Sequence, residues 1–305
     1  MSLRPAPARA IAALVLLAAA VLALAAPLIF PAGPLARMAE PLLAPGPAAW
    51  LGSDDLGRSL AAQLLYGLRT SLVVAAGVLA MSLSLGLAAG LAAGLRGGWV
   101  DELATRVTEL FQVLPRTFLA IVAVAFFGAS IDVLILVLGL SSWATIARVV
   151  RAATRAAAAA DFVVALRGLG ASDVWIARHH LLRYGAAPVM AAAGSVVAAT
   201  ILAEAALGFV GLGDAQAASL GSQLAQAYAF TAIAPWMGVV PGLAILSLVL
   251  AVHFLFEPVG PSSADPGAIE LSAALAPDSG SQPSRRRWLD RLARPPTPAA
   301  GSSRA

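Results

Sequence analysis

Residues 161–183 read DFVVALRGLGASDVWIARHHLLR and form a polar, arginine-rich island between stretches of membrane-spanning character. The whole chain of 305 residues is 60% hydrophobic and only 12% charged, with a mean hydropathy of +0.85. Because soluble domains carry about 25% charged residues, this composition indicates a protein of the lipid bilayer. A long polar segment is unusual in such a chain, and it therefore indicates a functional loop.

Long uncharged runs lie on both sides of the island. Several reach the roughly 20 residues that a helix needs to cross the hydrocarbon core. The sequence therefore predicts an all-α polytopic membrane protein with six transmembrane helices. The predicted spans are residues 10–36, 70–95, 109–128, 131–150, 184–210 and 233–256.

Two regions follow from this pattern. Residues 1–256 are predicted to be one transmembrane domain, which includes a polar loop at about 151–185. Residues 257–305 are rich in Pro, Ser and Ala, cannot bury a core, and are predicted to be a disordered tail. The arginine-rich run at 285–294 within this tail is consistent with binding to an anionic membrane surface or with a solvated basic segment.

Arginine placement predicts the orientation of the chain. With the N-terminus inside, seventeen of the twenty basic residues lie on the inner side, and only Arg37, Arg58 and Arg69 lie outside. Both termini are therefore predicted to be cytoplasmic. This distribution also explains the isoelectric point near 10.5 better than nucleic-acid binding does.

The N-terminal run leaves two alternatives open. Arg4 and Arg9 precede an apolar stretch that contains Ala23-Leu24-Ala25, as in a cleavable signal peptide. The uncharged run is longer than the usual core of a signal peptide, which favours an uncleaved first helix.

The polar loop has the signals of two short helices. Gly168 and Gly170 should break the chain after a helix at about 151–166. Ser172 is suited to cap the next helix, and Asp173 in its first turn suits the helix dipole. The residues alone leave open whether this second helix fits a groove of a partner or rests on lipid headgroups.

Several segments resemble the dipeptide, oligopeptide and nickel importer permeases, specifically the second permease subunit of these ABC transporters. The polar loop resembles their cytoplasmic "EAA" loop, although Ala165-Leu166-Arg167 stands where Ala-Ala-Arg is usual. Four segments match in order and spacing over about residues 50–250. Besides the polar loop they are LGSDDLGR at 51–58 with LYGLRTSL at 65–72, AEAALGFVGLG at 203–213, and APWMGVVPGLA at 234–244.

The resemblance implies a place in a larger assembly in the bacterial inner membrane. A second permease would complete the pathway, two cytoplasmic ATPases would bind the polar loop, and an extracytoplasmic binding protein would deliver the substrate. Peptides, nickel, opines and sugars all stay open as substrates. The residues expected to dock the ATPase, with Gly170 as the turn, are Asp161, Ala165, Leu166, Gly170, Asp173 and His180.

Candidate residues within the spans are few. Glu204 is an ionisable group in an apolar helix, where such groups usually face a cavity or the bundle interior. It is a candidate to line the pathway, together with Trp236, or alternatively a structural partner of Arg or backbone. Gly86, Gly90 and Gly94 repeat every four residues and predict a smooth face for close helix packing. The alternative is that these glycines are merely tolerated in a helix rich in Ala and Gly.

Enzyme chemistry has little support. Without lysine no GxxxxGK[ST] phosphate loop is possible, and without cysteine there are no disulfides or thiolate sites. His179 and His180 are adjacent in the sequence. No set of residues suited to catalysis or to metal binding is evident, and no cofactor is predicted. The alternatives to an importer subunit are a self-sufficient secondary transporter or channel, and a membrane enzyme.

Overall fold

A computed structural model describes residues 5–158, 161–177, 179, 186–214 and 216–257. Within these ranges the chain is helical, which confirms the predicted all-α class. The described helices are α1 (Pro5–Ile29), α2 (Leu60–Arg96), α3 (Gly98–Val113), α4 (Arg116–Phe127), α5 (Ile131–Ala158), α6 (Asp161–Gly168), α7 (Asp173–Ile176), α8 (Ala186–Phe209), α9 (Leu220–Phe230) and α10 (Trp236–Phe256). The predicted tail, apart from its first residue Glu257, lies outside the described residues.

Five of these helices, namely α1, α2, α5, α8 and α10, are long and apolar enough to cross a membrane. The prediction of one continuous helix over 109–128 is wrong, because α3 and α4 meet there at a bend of 77°. Pro115 causes the break: it lacks an amide hydrogen, and it holds Leu114 in an extended conformation. Counting this bent pair as one broken span gives the six predicted spans.

The helix ends also differ from the predicted ones. Helix α2 begins at Leu60, ten residues before the predicted start, because Ser59 caps it and the apolar pattern already begins there. Helix α5 runs past residue 150 to Ala158, so the start of the polar loop belongs to a transmembrane helix. The described parts of the predicted helix at 151–166 are the end of α5 and the first residues of α6.

Helix α1 packs as an integral part of the bundle. Ala12, Ala19, Ala23 and Ala26 lie on one face and are buried, and the last three join an apolar cluster with residues of α2, α8 and α10. Small side chains on a common face allow close approach between membrane helices. This packing favours the uncleaved first helix over a removed signal peptide.

A second apolar cluster joins α2, α4, α5 and α8 around Val74, Leu138 and Ile146. Helix α2, at 37 residues, belongs to both clusters and spans about 55 Å. The polar loop packs near its C-terminal end. The segment between α1 and α2 lies at its N-terminal end, so the two connecting regions are at opposite ends of the bundle.

Candidate functional site

The turn of the polar loop is built on glycine. Helix α6 ends at Gly168, and Gly170 has φ +86°, a left-handed conformation that glycine adopts at little cost. The amides of Gly170 and Ala171 donate to the carbonyls of Arg167 and Leu166, both at 3.0 Å. Ser172 Oγ then accepts from the Trp175 amide at 3.3 Å, which caps α7. The chain thereby passes from α6 to α7 within four residues.

The inner face of the polar loop anchors it to the bundle. Val163 and Ile176 are completely buried and pack with Ala157 of α5 and with Leu91 and Leu95 of α2. Leu166 is half-buried against the same cluster, so its role in the structure is mainly anchoring. Burying two branched side chains of this size stabilises the loop by about 1.5–3 kcal/mol each. The loop is therefore a packed extension of α2 and α5.

The outer face of the polar loop presents Ala165, Leu169 and Gly170, all exposed. Leu169 is 84% exposed, a high value for a leucine. Trp175, 43% exposed, stacks on His179 with 4.7 Å between ring centroids. Sequence reasoning missed Leu169 and Trp175, although a leucine between two glycines at a helix end was a visible signal. Leu169 and Trp175 are thus apolar side chains exposed on the polar loop.

Three predicted docking residues have no described side-chain environment. Asp161 begins α6 and Asp173 begins α7, but nothing is described of their side chains, and His180 lies outside the described residues. Their docking roles stay predictions. Ala165 and Gly170 lie together on the outer face.

The three glycines of α2 all face α5. A methyl group added at Gly86 would come within 2.6 Å of Ile146 Cβ, and one at Gly90 within 2.6 Å of the Ala147 carbonyl oxygen. One added at Gly94 would meet Thr154 Cβ at 2.6 Å. These separations are shorter than any stable contact, so α2 and α5 touch backbone to backbone along this face.

Glu204 is deep inside the bundle, with 2% of its surface exposed. Its two carboxylate oxygens accept hydrogen bonds of 2.7 Å from Ser71 Oγ of α2 and Ser219 Oγ at the start of α9. Ser219 also caps α9 through the Gly221 amide at 3.1 Å. The structure thus places Glu204 in a link between three helices, and its partners are hydroxyl groups. A role in lining the pathway stays a prediction.

Trp236 begins α10 at the opposite end of α2 from the polar loop. Its ring lies against Gly52, where an added methyl group would come within 2.8 Å of Trp236 Cδ1. The indole Nε1 is buried and has no hydrogen-bond partner among the described residues. Trp236 is therefore a packing element beneath the segment between α1 and α2, and its pathway role also stays a prediction. The described residues contain no cluster of three His, Cys, Asp or Glu that could hold a metal.

The helix order, the packed polar loop and the spans can be compared with known proteins. Residues 86–263 match the family described as binding-protein-dependent transport system inner membrane component. In a structural comparison, the inward-facing MetNI methionine ABC transporter superposes with a TM-score of 0.54 at 20% identity, over 64% of this chain and 93% of the other. The latter likeness shows a shared fold.

Three relatives extend the match beyond the family region. The dipeptide transport system permease protein of Alkalihalophilus pseudofirmus is 30% identical, over 69% of this chain and 70% of the relative. A putative peptide permease protein of Brucella abortus is 34% identical, over 70% and 71%. A glutathione transport system permease protein of Escherichia coli is 35% identical, over 69% and 70%. The chain therefore belongs to the family of binding-protein-dependent transport system inner membrane components and is a permease subunit of an ABC importer.

Proposed function

We propose that this permease subunit carries a short peptide inward across the bacterial inner membrane. The support is chemical agreement among the relatives, whose names specify dipeptide, peptide and glutathione transport. All three are small molecules with peptide bonds or closely related linkages. Nickel, opines and sugars have no comparable support, and neither does a self-sufficient secondary transporter or channel.

The energy comes from a separate ATPase that binds the outer face of the polar loop. The observation that carries this proposal is the exposed Leu169 on a loop whose inner face is buried against α2 and α5. An apolar side chain held on a rigid support suits the groove of a soluble partner. The lack of any lysine in the chain agrees with hydrolysis by another subunit.

The complete importer contains this chain, a second permease, two cytoplasmic ATPases and an extracytoplasmic binding protein. Both termini and the polar loop lie in the cytoplasm, as the arginine distribution favours. The segment between α1 and α2, at the other end of the bundle, then faces the binding protein. Residues 1–256 form the permease domain, and residues 257–305 form a cytoplasmic tail.

The test is purification of the tagged chain from native membranes in mild detergent, with mass spectrometry of the bound proteins. Wild-type protein should bring an ATPase, a second permease and a binding protein. Leu169→Asp should lose the ATPase and retain the second permease. The matched control is Leu56→Asp, which alters a leucine 49% exposed at the opposite end of the bundle and should retain the ATPase.

Substrate is assigned by uptake in proteoliposomes that contain the purified complex. Radiolabelled glycyl-leucine and radiolabelled glutathione should accumulate only with ATP and the binding protein. Uptake of both without ATP would support a secondary transporter or channel. ATP-dependent uptake of nickel alone would reject the peptide assignment while leaving the importer architecture intact.

A further inference from the structure

A charged cluster joins α3 to the cytoplasmic end of α5. Asp101 lies in the first turn of α3, and its carboxylate accepts hydrogen bonds from Nε and Nη2 of Arg151. The bond from Nη2 is 2.8 Å long. Arg155 Nη1 donates to the same carboxylate at 3.0 Å. The two arginines are four residues apart and therefore lie on one face of α5. We call Asp101, Arg151 and Arg155 the α3–α5 clamp.

The clamp is sheltered from water. Only 13% of the Asp101 side chain is exposed, and Arg151 is 27% exposed, whereas Arg155 is 58% exposed. A two-bond arginine–carboxylate pair fixes orientation as well as distance, so the clamp sets the angle between the two helices.

Besides the clamp, α3 contacts α5 through a hydrogen bond of 2.8 Å from Arg148 Nη1 to Gln112 Oε1 and through the edge-to-face rings of Phe111 and Trp143. Helix α3 makes both of these contacts near its C-terminal end. Its buried residues are Asp101 and Thr108, and none of its residues joins the buried apolar clusters of the described bundle. A cavity of about 170 Å³ lies between α3, α2 and α5, lined by Thr105, Thr108, Gln112 and Arg148 among others. The clamp therefore holds the N-terminal half of α3, on a face that the cavity leaves loosely packed.

The clamp also lies next to the contact between α5 and the polar loop. Arg151 and Arg155 are in the last turns of α5, and Ala157, two residues on, packs against Val163 and Ile176 of the loop. At its other end, α3 leads through the 77° bend into α4. A displacement of the loop thus reaches α3 through the clamp.

We propose that Asp101 is a positioning residue for transport, which transmits movement of the polar loop through Arg151 and Arg155 to the bent helix pair α3–α4. The proposal rests on the proposed function, since the movement originates in the bound ATPase. Loss of the clamp leaves ATPase docking intact and separates ATP hydrolysis from movement of the pathway helices.

The experiment measures ATP hydrolysed per radiolabelled glycyl-leucine accumulated in proteoliposomes containing the complete complex. Asp101→Asn should raise this ratio about fivefold, a typical size for a change at one residue of a coupling network. The matched control is Glu102→Gln on the next residue of α3. It breaks an exposed ion pair with Arg106 and should leave the ratio unchanged.

A double-mutant cycle distinguishes coupling from simple loss of folded protein. The double variant that combines Asp101→Asn with Arg151→Gln should raise the ratio no further than Asp101→Asn alone, because both changes act on the same interaction. Arg151→Gln alone should raise the ratio somewhat less, because Arg155 keeps its bond to Asp101. If Asp101→Asn does not assemble, Arg155→Gln removes the most exposed partner and should raise the ratio by a smaller factor.

Two results would overturn the proposal. One is a loss of both ATP hydrolysis and glycyl-leucine uptake in Asp101→Asn that leaves their ratio unchanged. A purely structural role predicts that result. The other is an unchanged ratio in an assembled Arg155→Gln complex when Asp101→Asn fails to assemble. In both cases the wild-type complex still couples ATP to uptake. Failure of the proposed function differs, because the wild-type chain itself would then show no ATP-dependent glycyl-leucine uptake.

Discussion

Glu204 of α8 and Ser219 at the start of α9 are joined by a hydrogen bond of 2.7 Å inside the bundle. The same carboxylate accepts a second bond of 2.7 Å from Ser71 of α2. A methyl group added at Gly221, two residues after Ser219, would overlap the Ala205 carbonyl oxygen. The short helix α9 is thus in close contact with the backbone of α8, and the hydrogen bond to Glu204 holds it there.

Replacing Glu204 by leucine should therefore destabilise the protein. Ser71 and Ser219 would lose their buried acceptor, at a cost of about 1–3 kcal/mol. Glu204→Gln keeps the size and one acceptor oxygen and should cost less. Thermal unfolding in detergent compares the two variants with the wild type. Equal unfolding temperatures for leucine and wild type would contradict a fastening role and favour the pathway prediction.

The contact between α2 and α5 predicts a graded effect of added methyl groups. Gly90→Ala would place a carbon 2.6 Å from the Ala147 backbone oxygen, which cannot move without shifting α5. Overpacking of this kind costs about 1–3 kcal/mol. Gly77→Ala on the same helix meets side-chain atoms of Ile135, the nearest being Cδ1 at 2.8 Å, and a side chain can shift without moving the backbone of α5. Thermal unfolding should show the larger loss for Gly90→Ala, and the reverse order would refute backbone contact at Gly90.

Sequence patterns predicted the class of fold because span length and arginine placement follow directly from the bilayer. They also indicated Gly170 as a turn, since glycine is suited to a positive φ. They failed at 109–128, where Pro115 breaks the helix that the prediction extended back from the uncharged run at 117–131. They also did not associate Asp101 with Arg151, because partners fifty residues apart leave no local signal. Glu204 was visible as an unusual charge, but its serine partners depend on the tertiary packing.

The conformation of Gly170 predicts how the turn of the polar loop tolerates substitution. Among the described residues, no atom lies within 4 Å of a methyl group added at Gly170, but φ is +86°. Asparagine adopts this region far more readily than a β-branched residue does. Gly170→Val should therefore reduce co-purification of the ATPase severalfold, while Gly170→Asn should retain most of it. Equal retention by both variants would show that the left-handed turn is unnecessary for docking.

The hydrogen bonds of Asp54 are expected to stabilise the segment between α1 and α2. Its Oδ1 accepts from the amides of Leu56 at 2.9 Å and Arg58 at 2.8 Å, and its Oδ2 accepts from Gln63 Nε2 at 2.8 Å. Asp54 is fully buried, so Asp54→Ala leaves three donors unpaired and should cost about 1–3 kcal/mol or more.

The neighbouring carboxylate supplies the control for this prediction. Asp55→Ala removes the same charge from a half-buried position and should change little, because surface substitutions usually stay within about 0.5 kcal/mol. Limited proteolysis of proteoliposomes from the side of this segment is the measurement. Faster cleavage between α1 and α2 in Asp54→Ala than in Asp55→Ala is expected. Equal cleavage would mean that the Asp54 bonds do not hold the segment, and that its packing on Trp236 is sufficient.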